Sequence, residues 1–260
     1  MQACKRTDGI SICIPNWNHR SYLYRSVGCA LATARELARH GLGCEVLVID
    51  DASRDGSQRL LLRLAMMDAT GSLQIIANDE NRGLGAARNR GLRESRYKWV
   101  CFLDADNELI PENVFHFYRA AKDTGAAFTY GNLVVRIGGP DGPVSEIISN
   151  DFLNESIFER NYIDAMAVVD ADQALAVGGY VESRTMPEDL EFVLHMAAEG
   201  RQIVMLPMLL GHWYLHKQSL GQDRGAVDNP KIDRIFNQRK AGLPLGFKPR
   251  MYHPDVGYLV

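Results

Sequence analysis

The chain has 260 residues, 46% of them hydrophobic and 23% charged, a composition that excludes a disordered or collagen-like protein. Lys and Arg number 29 and Asp and Glu 32, so the net charge is −3, without the basic excess of a general nucleic-acid binder. The length suits one large α/β domain or two small ones.

At the N-terminus, MQACKRTDGISICIP offers only a short apolar stretch, too short for a signal-peptide core. The best later run, IVMLPMLLG, contains Pro207 and falls far below the length of a transmembrane helix. Five dispersed cysteines (Cys4, Cys13, Cys29, Cys44, Cys101) lack CxxC spacing and read as reduced thiols, which points to the cytoplasm.

In chain order, ISICI (10–14) is followed by a helical period over about 21–39, and EVLVID (45–50) by QRLLLRLAMM. LQIIA (73–77) leads into AARNRGLRES, and KWVCFLD (98–104) into PENVFHFYRAA, whose proline suits a first helical turn. Near-continuously apolar strands alternating with helices predict a parallel sheet covered on both faces, a Rossmann-like half over 9–125. Beyond it, FTYGNLVVRI, the breaker GGPDGP and VSEIIS read as a hairpin. MPEDLEFVLHMAAEG reads as a helix with Leu190, Val193, Leu194 and Ala197 on its core face, opened by Pro187 and closed by Gly200. That phase turns Glu188 nearly away from the core and leaves Asp189 at the margin. A mixed strand region, RQIVMLPMLLGHWYL, follows. The second half, 126–222, shares one compact unit with the first, and 223–260 is a C-terminal extension richer in Lys, Arg, Pro and Gly.

Ligands of open α/β sheets bind outside the carboxyl ends of the strands. There the sequence places Pro15-Asn16-Trp17-Asn18, Asp50-Asp51 and Asp104-Ala105-Asp106-Asn107. Taken singly, each is ordinary turn and cap chemistry. Together they predict four carboxylates at one edge. Such charges repel by about 4 kcal/mol per pair at ~4 Å and an effective dielectric of ~20, so a cation is expected among them, and a hard divalent metal suits oxygen ligands.

IPNWNH, VLVIDDASRDGS, NRGLGAARNRGL, FLDADN, VGGYVE and MPEDLEFVLHMAAEG follow one another in the order and spacing of family 2 inverting glycosyltransferases. The chain resembles that family, and its GT-A fold, over about residues 9–222. The resemblance implies that Pro15, Asn16 and Trp17 line a nucleobase pocket, with the Trp17 ring stacking on the base. Asp51 would accept a hydrogen bond from the base, Asp50 would support the loop, and Arg88 would lie near the nucleotide, although a solvated helix arginine fits nearly as well. In the Asp-x-Asp motif, Asp104 would meet the ribose, Ala105 would line the nucleotide site, and Asp106 would bind Mn²⁺ or Mg²⁺ on the donor diphosphate. Asn107 stands where many relatives have a third acid. His216 would complete the metal site, but the arginine usual two residues earlier is Tyr214 here. Asp189 would be the general base, and Asp164 and Glu188 would approach the donor sugar or the acceptor. The implied donor is a nucleotide-sugar, foremost a UDP-sugar, and the acceptor a glycan or lipid-linked glycan.

Rival readings fit less well. Gly83-Leu84-Gly85-Ala86-Ala87-Arg88 begins like a dinucleotide fingerprint, but Arg88 replaces the last glycine and the motif follows the third strand, not the first. Gly83 and Gly85 then read as a flexible turn before a helix. His212 and His216 are four apart, but Trp213 stands where a zinc protease needs Glu. A nucleotide-sugar binding module without catalysis, and a nucleotidyltransferase, remain as alternatives. In the tail, Arg234, Arg239, Lys240, Lys248 and Arg250 with Phe236, Leu243, Leu245 and Phe247 suggest peripheral contact with lipid or a lipid-linked acceptor, a solvated tail being the simpler reading.

Overall fold

Strand β1 (Thr7–Asn16) is buried from Gly9 to Asn16, which requires cover on both of its faces. The cover is visible in its alternation. Ile10, Ile12 and Ile14 join one apolar cluster, whereas Cys13 joins the other. In the computed structural model, which describes residues 6–148, 163–182, 188–216 and 250–258, β2 (Cys44–Asp50) and β3 (Leu73–Ala77) extend the sheet in parallel from β1. Helices α1 (Arg20–Arg39) and α2 (Ser57–Met67) cross between these strands on the first face.

After β3 the chain reverses. Helix α3 (Leu84–Glu94) lies on the opposite face, and β4 (Tyr97–Phe102) pairs in parallel with the far side of β1. Right-handed crossovers require this change of face when the strand order changes direction. It leaves a switch point between β1 and β4, with Asn16 and Asp104 just beyond their carboxyl ends.

The second half makes the sheet mixed. Short β5 (Glu108–Leu109) pairs antiparallel with β9 (Ile203–Leu215), and α4 (Pro111–Thr124) begins on its proline as expected. The predicted hairpin forms from β6 (Phe128–Ile137) and β7 (Val144–Ile148). Strand β8 (Val168–Asp170) inserts antiparallel between β4 and β6 and feeds α5 (Ala171–Ala176), whose N-cap Asp170 accepts hydrogen bonds from the backbone of Asp172 and Gln173. Helix α6 (Glu188–Ala198) covers the second face; Pro187, read as its opener, lies outside the described residues. Finally β10 (Arg250–His253) pairs in parallel with β9 and turns into β11 (Gly257–Tyr258), so the end of the chain returns to the sheet. The order across the sheet is β11-β10-β9-β6-β8-β4-β1-β2-β3.

Cys13, Cys29, Cys44 and Cys101 are free thiols, and burial raises the pKa of each. Cys4 lies outside the described residues.

Candidate active site

The loops after β1 and β2 are laced together by short polar side chains. Asn16 donates from Nδ2 to Asp50 Oδ1 at 2.7 Å and to Ser53 Oγ at 3.1 Å. Ser53 Oγ also accepts from Asn18 N at 2.9 Å, and Asn18 Oδ1 accepts from Arg54 N at 2.8 Å. Asn18 and Ala52 both take left-handed backbone, with φ of 58° each. For an alanine this conformation costs about 1 kcal/mol and persists because its surroundings fix it. Asp50, fully buried, accepts from Asn16, Ser53 N and Gln58, so it supports the loop.

Asp51 is also buried. Its carboxylate accepts from Asn78 Nδ2 at 2.6 Å, Arg82 N at 3.0 Å and Gly83 N at 2.8 Å, folding the β3–α3 loop against β2. Trp17, next in the chain to buried Pro15 and Asn16, is 52% exposed. The four strand-end carboxylates therefore do not form one acidic cluster. Asp50 and Asp51 turn into loop hydrogen bonds with neighbouring amides.

Arg88 is the cation that compensates Asp104. Only 2% exposed, it donates to Asp104 Oδ1 at 2.9 Å and to Glu188 Oε1 at 2.8 Å. A solvated helix arginine is thereby excluded. Burial opposes its charge, but Asp104 and Glu188 more than offset this and hold it protonated. Glu188 does not point away from the core as its helical phase predicted. Helix α6 buries Leu190 to Leu194 as well as Met196 and Ala197, so apolar phase cannot tell its faces apart, and the ion pair draws Glu188 inward. Asp189, half-buried, lies close enough to Asp164 for its charge to act on that carboxyl. Burial pushes Asp164 up to about 7, aided by the charges of Asp104 and Asp189 and opposed by the Met166 amide and Arg88.

The second acid of Asp-x-Asp meets His216. Asp106 Oδ2 lies 3.0 Å from His216 Nε2, and Tyr22 stacks on the imidazole at 4.6 Å between centroids with its hydroxyl 3.3 Å from Nδ1. Burial, then the charge of Asp104, raises the Asp106 carboxyl, while His19 and His216 work against that. Ala105, between the two acids, is buried. Asn107 turns inward, its Oδ1 accepting from Tyr214 N at 3.0 Å. Tyr214 donates to Glu108, and Arg25 of α1 sits over its ring at 4.5 Å while donating to Asp106 O at 2.6 Å. A guanidinium thus stands beside Tyr214, supplied by another element. His212 lies in β9 opposite Glu108, apart from this pair.

Three contributors escape sequence reasoning. Tyr22 and Arg25 sit one turn apart on an amphipathic helix where nothing marks them. Asn89 clamps the segment before α6: it accepts from Tyr180 N at 2.7 Å and donates to Tyr180 O at 2.8 Å and Glu182 at 3.1 Å. Gly85 is no flexible turn. A Cβ there would lie 2.2 Å from Val181 O, so it allows α3 to pack against the same segment backbone to backbone.

Among the described residues no group of three or more His, Cys, Asp or Glu is placed to hold a metal ion by itself. Asp106 and His216 nonetheless form a fitting partial set, one carboxylate oxygen and one imidazole nitrogen facing each other, with Tyr22 on the second ring nitrogen as an orienting partner.

The family model described as Glycosyl transferase family 2 matches residues 11–174. Among relatives, the succinoglycan biosynthesis protein ExoO of Rhizobium meliloti is 30% identical over 138 residues, covering 53% of this chain and 37% of its own length. The glycosyltransferase AglE of Haloferax volcanii is 23% identical, covering 94% of this chain and 83% of AglE. Among solved structures, residues 1–349 of S. aureus TarS in complex with UDP-GlcNAc superpose with a TM-score of 0.66 at 16% identity, covering 90% of this chain and 66% of that one. The mannosyltransferase PcManGT of Pyrobaculum calidifontis, in complex with GDP-Man and Mn²⁺, gives a TM-score of 0.58 at 16% identity, covering 89% and 68%. The chain thus spans little more than a third of ExoO and about two thirds of the TarS fragment. With a family match over most of its length and this mixed sheet, the chain belongs to glycosyl transferase family 2 and has a GT-A-type fold.

Proposed function

We propose that the chain transfers a sugar from a nucleotide diphosphate donor, foremost a UDP-sugar, to an acceptor hydroxyl with inversion at the anomeric carbon. The observation that carries this is the Arg88 bridge, which joins Asp104 of the donor motif to Glu188, the neighbour of Asp189, at 2.9 and 2.8 Å. One buried guanidinium thereby fixes the donor-binding loop relative to the helix bearing the base.

Pro15, Asn16 and Trp17 hold the nucleobase, with the exposed Trp17 indole as stacking surface. Asp51 accepts an imide N–H from the base while keeping the Arg82–Gly83 loop closed beneath it. Asp104 meets the ribose, and Ala105 lines the nucleotide site beside it. Asp106 and His216 would hold Mn²⁺ or Mg²⁺ beside the donor diphosphate. Such an ion offsets the negative charge that builds on the departing nucleoside diphosphate. Asp189 takes the proton of the acceptor hydroxyl as its oxygen attacks the anomeric carbon from the face opposite the diphosphate. One in-line displacement breaks the sugar–phosphate bond and inverts the centre. Asp164, beside Asp104 and Asp189, faces the sugar or acceptor. The acceptor is a glycan or lipid-linked glycan, and the protein works at the cytoplasmic face of a membrane or free in the cytoplasm. No helix among the described residues is long and apolar enough to cross a membrane.

General-base catalysis contributes about 10²–10⁴-fold. Asp189→Asn is expected to slow release of nucleoside diphosphate from donor by that range while donor affinity holds. Unchanged turnover would return Asp189 to a helix-dipole role, whereas a parent that binds donor but releases no nucleoside diphosphate would favour a binding module.

A further inference from the structure

The outer face of α1 and α2 carries chemistry that sugar transfer does not use. Helix α2, SQRLLLRLAMM, contains no carboxylate. Ser57, Leu61 and Leu64 are buried, while Arg59, Leu62, Arg63 and Met66 form an exposed i, i+3, i+4, i+7 stripe. Leu62, Met66 and Met67 are 61%, 88% and 72% exposed, large values for apolar side chains. On α1, Arg20 and Tyr24 stand one turn apart and are likewise exposed.

Arg20, Arg59 and Arg63 line a cavity of about 260 Å³ together with Asp55, Gly56 and Leu60. Asp55 is the one acid of its lining, and its oxygens are engaged: Oδ1 accepts from Ser57 N and Oγ at 2.9 and 2.6 Å, and Oδ2 from Arg20 N at 2.8 Å. The guanidiniums of Arg20, Arg59 and Arg63 make no ion pair among the described residues. In a chain of net charge −3, this is a locally positive, apolar-flecked surface.

We infer that the α1–α2 face docks the protein on an anionic lipid bilayer, with headgroup phosphate in the Arg20–Arg59–Arg63 cleft and Leu62, Met66 and Met67 entering the acyl boundary. Guanidinium forks suit phosphate oxygens, and arginine stems allow the charge to stay at headgroup level while apolar neighbours sink. Tyr24 suits the same interface, with an apolar ring and a polar tip. Arginine and apolar side chains share one exposed helix face, so the guanidiniums can stay at headgroup level beside apolar side chains that sink. A protein partner would more often find an apolar centre ringed by charge.

The placement has a consequence for the site. Arg20 begins α1 directly after the Asn16–His19 loop, and Gly56 caps α2 directly after the Asp51–Asp55 loop. Docking therefore holds the carboxyl edge of β1 and β2, where Trp17 and Asp51 lie, near the headgroup layer. That is where a lipid-linked acceptor would present its hydroxyl. The docking itself does not rest on the transfer reading, since vesicle binding needs neither donor nor acceptor.

Cosedimentation of the full chain with phosphatidylcholine vesicles, with and without phosphatidylglycerol, tests the inference. Binding is expected only with phosphatidylglycerol and should weaken with salt. Arg59→Ala with Arg63→Ala should lower the partition coefficient about thirty-fold. Leu62→Ser with Met66→Ser should also weaken it while leaving the charge intact. Circular dichroism and melting temperature of both double variants should match the parent, as all four side chains are exposed. Equal binding to both vesicle types, or double variants that bind as the parent does, would overturn the inference.

Discussion

Arg88 joins the two halves of the candidate site through two carboxylates, and its removal would take a guanidinium counter-charge from each. Glu188 has a side chain only 6% exposed and Asp104 one 30% exposed, so Glu188 bears most of the cost. Breaking a buried pair by deleting one partner costs about 3–5 kcal/mol, and Arg88→Met is expected to lose stability of that order in urea unfolding, with Glu188→Gln in the same background restoring part of it. Asp164 carries the opposite imbalance. Its carboxyl titrates at about 7 in the folded chain against roughly 3.9 when unfolded. Between those values the folded chain binds the extra proton, so this group's contribution to stability falls as pH rises and is fully lost above the folded value. Asp164→Asn should therefore melt higher than the parent at about pH 8, and the gain should vanish towards about pH 4. A constant difference across that range would mean that Asp164 is not held protonated by burial. Residue types at strand ends were legible in the sequence, but their directions were not. Asp50 and Asp104 are both acids after apolar strands, yet one faces loop amides and the other a guanidinium from α3 that no sequence pattern placed there.

At the scale of elements, α3 is the piece most tightly keyed to the site. It brings Arg88 inward, clamps residues 180–182 through Asn89, and lets Val181 O approach Gly85. Gly85→Ala sets two effects against each other. Alanine favours a helix by up to about 1 kcal/mol over glycine, a gain that is smaller at the second residue of α3. A Cβ at 2.2 Å from a backbone carbonyl must move that backbone, and such overpacking costs about 1–3 kcal/mol, so the clash should win. The variant is expected to melt lower than the parent and to lose donor turnover, because the displaced segment leads to α6. A variant with parent stability and turnover would show that the segment adapts freely. The long elements of the first half follow from hydrophobic period and turn residues, and β1 to α4 lie where apolar runs and the Pro111 signal placed them, within a few residues. Short β5, β8 and α5 were not legible, since two to six residues carry no period. Asp170 did leave a signal there as an N-cap. Helix α6 was legible in extent and not in orientation, because nearly every face of it is buried.

For the whole molecule, the decisive feature is the reversal of strand order between β3 and β4. It opens the switch point beyond Asn16 and Asp104, and later strands complete the floor by carrying His216 off the end of β9 to meet Asp106 at 3.0 Å. That meeting joins residues 110 positions apart and depends on the parallel pairing of β6 with β9, which no local pattern encodes. The family motifs marked the two partners, and the sheet brought them together with Tyr22 behind the imidazole. If this pair holds the ion that carries the donor diphosphate, nucleotide binding must depend on both the metal and Asp106. Isothermal titration of UDP into the parent and into Asp106→Ala, each with and without Mn²⁺, measures this directly. The expected result is binding to the parent that strengthens markedly with Mn²⁺ and an Asp106→Ala protein in which Mn²⁺ makes no difference. UDP affinity that is the same with and without Mn²⁺ in the parent, or a Mn²⁺ enhancement that survives in Asp106→Ala, would contradict it.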